Sequence, residues 1–211
     1  MTNIWQYAGR FVLQFNLFLP VVAGILASDR MQRDYRLGIR ELQTSAPIRP
    51  STYILSKYLG VLFSMILPVF LWVLAISAGL VVTHQAPVAM MYAMPVAFMV
   101  MTAPAFAFVT AFSLACPLIM PVRVYQILFT GYWFWGNFLN PQAFPSISDT
   151  LLEAGGKHAF QGFFGGFPGA LNVPLQWNSL DASLNLLVLG LCILAALFTL
   201  DRYLNWQSRK S

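Results

Sequence analysis

Charge is what this chain has least of. Only 7 acidic and 12 basic residues stand among 211. A soluble domain carries roughly a quarter of its residues as charge to keep its surface in water. The scarcity therefore excludes a sizeable soluble domain. Cysteine is also scarce. Cys116 and Cys192 both lie in or beside apolar runs and read as small core residues, which excludes a disulfide framework and a cysteine-based metal site. No G-x-x-x-x-G-K-[ST] stretch occurs, so the chain does not itself cradle nucleotide phosphates. Neither H-E-x-x-H nor a paired-cysteine motif occurs, so zinc chemistry is not signalled. No catalytic residue and no metal ligand is expected, and the chain reads as a non-enzyme. The net charge of +5 does not point to nucleic acid, because no basic patch interleaved with stacking aromatics lies outside the apolar runs. The opening "MTNIWQYAGR" lacks the basic start, apolar run and small-residue site of a cleavable leader.

What the chain has instead is grease. Hydrophobic residues make up 58% and aromatics 15%, and the mean hydropathy is +0.67. Apolar runs recur at about 11–28, 58–83, 88–115, 122–140 and 182–200. A bilayer core of roughly 30 Å needs about 20 apolar helical residues, so each run is expected to cross a membrane. Pro20, Pro68, Pro95 and Pro104 fall inside runs and are expected to mark kinks. The expected fold is an all-α integral membrane bundle of about five spans, residues 1–211 forming one transmembrane domain. Arginine and lysine set the orientation. With segment 29–57 in the cytoplasm, Arg30, Arg33, Arg36, Arg40, Arg49, Lys57, Arg123, Arg202, Arg209 and Lys210 lie inside, and only Arg10 and Lys157 outside. The N-terminus is then expected outside and the C-terminus inside. An odd span count leaves two expectations open: a chain natural at this length, or an earlier span lost at the start.

The outer loop 141–181 is the longest stretch between runs. Within it "SISDTLLEAGG", 146–156, reads as a short helix capped by Ser146 or Ser148 with Asp149 in its first turn. "AFQGFFGGFPGAL", 159–171, is too short to span. It reads either as a broken re-entrant hairpin or as a flexible aromatic loop.

The charges that exist are concentrated. Asp29, Arg30, Arg33, Asp34, Arg36, Arg40, Glu41, Arg49 and Lys57 crowd one segment between two apolar runs. Over 30–46 the arginines recur at three- and four-residue steps. Met31, Tyr35, Ile39, Leu42 and Ala46 recur on another face, the pattern of an amphipathic helix. Gly38 weakens that helix by roughly 1 kcal/mol relative to alanine. Pro47 is expected to stop it and Pro50 to prevent a quick restart. Lys57 sits where the next span opens and can snorkel to headgroups. From the residues alone, an interfacial helix lying on anionic lipid and a helix docking a soluble partner both stand.

The order Asp34, Gly38, Glu41, Leu42, Pro47, Ile48, Lys57, with "SAPIRPSTYILSKYLG" around its end, resembles a motif of the permease subunits of type-2 ABC exporters. That motif runs acidic residue, Gly, Leu-bearing helix, Pro, then a Lys opening the next span. It covers about 30 residues, with departures at Ile39, Arg49 and Ser56. The resemblance implies a coupling helix at Asp34, Tyr35, Gly38, Ile39, Glu41, Leu42 and Pro47 that docks on a separate ABC ATPase subunit. It implies a second permease subunit, identical or not, and ATP with magnesium in the ATPase only. It also implies six spans in a complete subunit and a re-entrant outer segment before the last span. The expected function is alternating-access export of an amphiphilic substrate. The alternative is a non-transporting membrane scaffold or regulatory protein whose basic helix binds lipid.

The remaining polar residues read as structural. Gln14, Asn16, Ser64, Ser77, Thr102, Thr110, Ser113, Gln126, Thr130, Asn137 and Asn185 lie within runs and are expected to bond helix to helix. Gln14 and Asn16, two apart, cannot share a helical face. His84 and His158 are expected to be solvated, and "GYWFWGNF", 131–138, to form an interfacial aromatic belt. The spans carry no charge at mid-depth, which disfavours ion coupling. No convergent acid and base groups are expected at the span ends.

Overall fold

The computed structural model describes residues 4–37, 50–141, 143–166 and 177–208. Among them every regular element is helical: α1 (Ile4–Phe15), α2 (Leu19–Ser28), α3 (Arg30–Arg36), α4 (Pro50–Val82), α5 (Met90–Ala97), α6 (Ala103–Ala115), α7 (Val122–Asn137), α8 (Lys157–Phe164) and α9 (Ser179–Ser208). Among the described residues three stretches are long and apolar enough to cross a membrane, Ser51–Val82, Met90–Leu118 and Ser179–Trp206, and the bent pair Ile4–Phe15 and Leu19–Asp34 makes a fourth if it is one span. The chain is an all-α, membrane-associated, multi-helix protein.

Several expected boundaries move. The first run is not one rod beginning near residue 11. It is α1 joined to α2, beginning at Ile4 and bent by 41°. The break has a local cause. Leu17 and Phe18 donate to Gln14 and Phe15, three residues back, and Pro20 brings no N–H to the new helix. Trp133 Nε1 in α7 donates to the Leu17 carbonyl at 3.2 Å, satisfying an acceptor that the bend frees. Trp133 is thus core rather than belt. Trp135, two residues on, is 41% exposed.

Pro50 does not delay the next helix; it opens it. Proline fits the first helical position, where its missing N–H would have no partner anyway. The fourth run is also shorter than expected. At 16 residues, α7 spans about 24 Å at 1.5 Å per residue and falls short of a full bilayer core. Between α5 and α6 lies a π-helical turn, Phe98–Thr102. Pro104 cannot donate to the carbonyl one turn earlier, and Pro95 crowds the turn before it.

The stretch Met90–Leu118 is the spine of the bundle. Some 61% of its apolar window is buried, against 17% for α4 and 22% for α9. Three apolar clusters succeed one another along it. Val12, Met94, Phe98 and Phe160 fill one end. Val21, Val109, Phe129, Trp133 and Leu189 fill the middle. Met31, Ile54, Tyr58, Leu114 and Leu200 fill the other end. Gly24 lets α2 close on this core: a Cβ there would stand 2.3 Å from the Phe129 ring. Leu55, Leu59, Phe63, Leu67 and Leu71 run down α4 at four-residue steps and remain exposed.

Candidate functional site

Two charged groupings sit at opposite ends of the bundle. The first involves the polar segment. Lys57 Nζ lies 2.6 Å from Asp34 Oδ2, and the Tyr53 hydroxyl donates to the same oxygen at 2.5 Å. Asp34 stands on α3; Tyr53 and Lys57 stand one turn apart on α4. Nearby, Gln32 Nε2 donates to the Pro117 carbonyl at 2.8 Å, and Met31 is buried. The two ends of the sequence motif are therefore bonded to each other. Lys57 makes an ion pair within the chain, beyond the headgroup contact expected of it. Helix α3 is described to Arg36. Gly38, Ile39, Glu41, Leu42 and Pro47 lie outside the described residues, as does the side chain of Tyr35, and with them most of the expected 30–46 helix.

The second grouping was not expected. Residues 146–156 form turns rather than a helix, and the helix of this region is Lys157–Phe164. Ser148, Glu153, Lys157 and His158 are all at most 1% exposed. Acid and base groups do converge, and His158 is not solvated; His84 is, on a turn with φ of 57°. Three asparagines hold the segment. Asn137 Oδ1 accepts the N–H groups of Ala154 and Gly155 at 2.7 and 2.9 Å. Asn16 Nδ2 donates to the Gly155 carbonyl, while its Oδ1 accepts Thr102 Oγ1 from the π turn. Asn185 Nδ2 donates to the carbonyls of Leu151 and Glu153. Irregular backbone inside a membrane-type bundle must be satisfied by protein, and these side chains do it.

Glycine permits the close fit. Gly156 adopts φ of +91°, and a Cβ on Gly155 would meet Glu153 Oε1 at 2.4 Å. Helix α8 then ends at Gly165 with φ of +63°. Phe160 and Phe164 pack into the core, so the described part of 159–171 is a helix on protein rather than a free aromatic loop.

The electrostatics are dense. Glu153 Oε2 accepts the Lys157 N–H at 3.2 Å and faces His158 Nδ1 at 3.4 Å. Lys157 Nζ donates to Ser148 Oγ and stands 3.8 Å from Asp149 Oδ1. Burial pushes the Lys157 ammonium below the usual lysine range, and Glu153 and Asp149 partly hold it up. A serine beside a buried lysine invites comparison with a Ser–Lys nucleophile pair. The hydrogen bonds run the other way: Ser148 Oγ donates to the Asn137 carbonyl at 3.1 Å and accepts from lysine. Its proton is not poised for Lys157. The arrangement seats a charged segment.

Among the polar residues within the runs, Asn16, Thr102, Ser113 and Gln126 bond between helical elements as expected. Ser113 bonds Tyr125 at 2.8 Å, and Gln126 reaches Ser28 at 3.0 Å. Asn16 is buried and Gln14 exposed. Ser64, Ser77 and Thr130 bond their own helices. The buried charges escaped sequence reading because 146–156 reads as a short capped helix in the outer loop, with Asp149 in its first turn. The available signal was their four-residue spacing into "GGKH". Among the described residues no cluster of His, Cys, Asp and Glu could hold a metal ion.

The fold defines the class, a multi-helix membrane protein. Beyond the class, no family model matches this chain, and comparisons with curated proteins and with solved structures return no match.

Proposed function

We propose that this chain is the membrane subunit of an ATP-driven exporter of the type-2 ABC class, working with a separate ATPase subunit and a second membrane subunit. One observation carries the reading. The acidic residue and the lysine that bound the motif, Asp34 and Lys57, are bonded at 2.6 Å. The two ends of the motif are thereby tied to each other, one on α3 and one on α4. A partner that engages the motif would push the root of a 33-residue helix. Segment 34–57 then faces the cytoplasm, the N-terminus lies outside, and the substrate is amphiphilic.

Affinity purification of the detergent-solubilised chain from its native membranes tests this. A stoichiometric ATPase subunit is expected to accompany it, and Gly38→Asp or Leu42→Asp is expected to abolish that association without loss of membrane insertion. A clean preparation lacking any ATPase would sink the proposal. It would leave a lipid-binding scaffold, with residues 34–57 as its surface helix.

A further inference from the structure

A cleft of about 320 Å³ opens between the end of the spine and α9. Phe112, Ala115 and Cys116 line one wall, and Cys192, Ala196 and Tyr203 the other. Its cause is local. Helix α6 gives way at Cys116 to a 3-10 turn, Cys116–Leu118, that carries Pro117. A tighter turn with no N–H at Pro117 does not prolong the α-helical wall. Opposite it α9 presents mostly short side chains, and the two walls do not fill the space between them.

The cleft is greasy along its length. Apart from Tyr203 its one hydroxyl, on Thr199, donates to the Ala195 carbonyl of its own helix at 2.8 Å. The walls thus offer hydrocarbon and two thiols, and a void so lined does not hold water. Left empty, it forfeits the dispersion contacts of its walls. Exposed Ile119, Ala195 and Thr199 stand at its mouth. The surface around them belongs to two stretches apolar enough to cross a membrane, so lipid reaches the mouth.

Length and depth choose the occupant. From Cys192 to Tyr203 the cleft follows α9 for about 17 Å at 1.5 Å per residue. Half of a bilayer's hydrocarbon core is about 15 Å. At one end Tyr203 and Trp206, with ring centroids 6.1 Å apart, form the kind of aromatic pair that sits at headgroup level. Two arginines are exposed at that end. Arg202 on α9 lies with its guanidinium 4.9 Å from the Phe198 ring centroid. Arg123 stands in the first turn of α7, four residues beyond Ile119. Neither makes an ion pair among the described residues. Asp201, next to Arg202 in the chain, accepts from Asn205 at 3.1 Å. Exposed arginines beside a membrane attract anionic headgroups.

We infer that this cleft binds one acyl chain of an anionic phospholipid, the chain lying between α6 and α9 and the phosphate at the end that bears Arg123 and Arg202. This inference does not depend on the exporter reading.

The test places the full chain in phosphatidylcholine nanodiscs holding a small fraction of phosphatidylglycerol with a diazirine on one acyl chain. After illumination, labelled peptides are mapped by mass spectrometry. Label is expected to concentrate on residues 112–119 and 192–203. It should exceed the label on Leu59, Phe63 and Leu67 of α4, whose exposed face reports ordinary bilayer contact. Unlabelled phosphatidylglycerol is expected to displace it, and phosphatidylcholine is not. Arg123→Gln or Arg202→Gln should weaken that preference about fivefold. Ala195→Trp puts an indole into the cleft from its exposed wall, and should abolish labelling there while α4 keeps its own. Label no denser in the cleft than on α4 overturns the site. Equal displacement by both lipids overturns the choice of an anionic lipid. Bismaleimide crosslinking through Cys116 and Cys192, the chain's two cysteines, tests for a rival occupant. Covalent dimers formed in the nanodisc would put a second copy of the chain in the cleft and overturn the inference. Labelling, displacement and crosslinking are read on the wild-type chain, so a poorly folding variant leaves the test intact.

Discussion

The two charged regions differ in how they are built. At one end, Asp34 and Lys57 are 23 residues apart, and their side chains are 14% and 23% exposed. At the other, Glu153, Lys157 and His158 lie within six residues and are almost wholly buried. The first pair ties α3 to α4 within water's reach; the second set carries irregular chain into an apolar interior. A half-buried pair that solvent still reaches is partly screened and contributes modestly to stability. A buried charge makes little net gain when satisfied, but is expensive when its partner is removed. The half-buried pair thus joins two helices at modest energy, and the buried set holds one segment in one place.

The sharpest way to break this contrast is to remove one lysine from each end. Lys157→Met should destabilise the protein by about 3–5 kcal/mol, because buried Glu153 and half-buried Asp149 lose their cation. Lys57→Met should cost no more than about 1 kcal/mol. Unfolding in mixed micelles, followed by circular dichroism, gives both values. Equal losses would show that the ends are energetically alike.

The asparagine seat comes next. Asn137→Ala would orphan two buried N–H groups, at Ala154 and Gly155, each worth about 1–3 kcal/mol. Amide exchange at those two positions should rise well before global unfolding. If protection persists, Asn16, Asn185 and the Phe160 packing hold the seat without Asn137.

A double-mutant cycle on Asp34→Asn and Lys57→Met sharpens the other side. The coupling energy is expected to be about 1 kcal/mol or less, while, on the exporter proposal, stimulation of an ATPase subunit is expected to fall. A large coupling energy with intact stimulation would reverse the assignment of roles.

The smallest effect is a matter of sign. Burial lowers the Lys157 pKa from its ordinary 10.5. Between the lowered value and 10.5 the open segment binds a proton that the seated one does not, so seating should strengthen as pH rises through that window. Amide protection at 154–157 should therefore increase with alkalinity through that window. A decrease would contradict the burial of Lys157.

Local features of the fold were legible because their causes are local. The apolar run at 58–83 makes α4 helical and greasy wherever it is placed. Its start was misjudged because Pro50 was weighed as a breaker, although the first turn of a helix tolerates proline. The Asp34 and Lys57 positions were legible as a motif; that they touch was not.

The sequence by itself determined the class of this protein: long apolar helices, few charges, and one polar segment between two runs. Those follow from composition and from periodicities within single helices. The tertiary structure alone decided the fate of residues 148–158. In sequence, 146–156 reads as a short capped helix in the outer loop, because nothing adjacent in the chain could satisfy an irregular backbone there when buried. The groups that do come from Asn16, 139 residues from Gly155, from Asn137, 18 away, and from Asn185, 32 from Glu153. Desolvating a polar backbone is prohibitive until every partner is in place, and only the assembled bundle puts them there together.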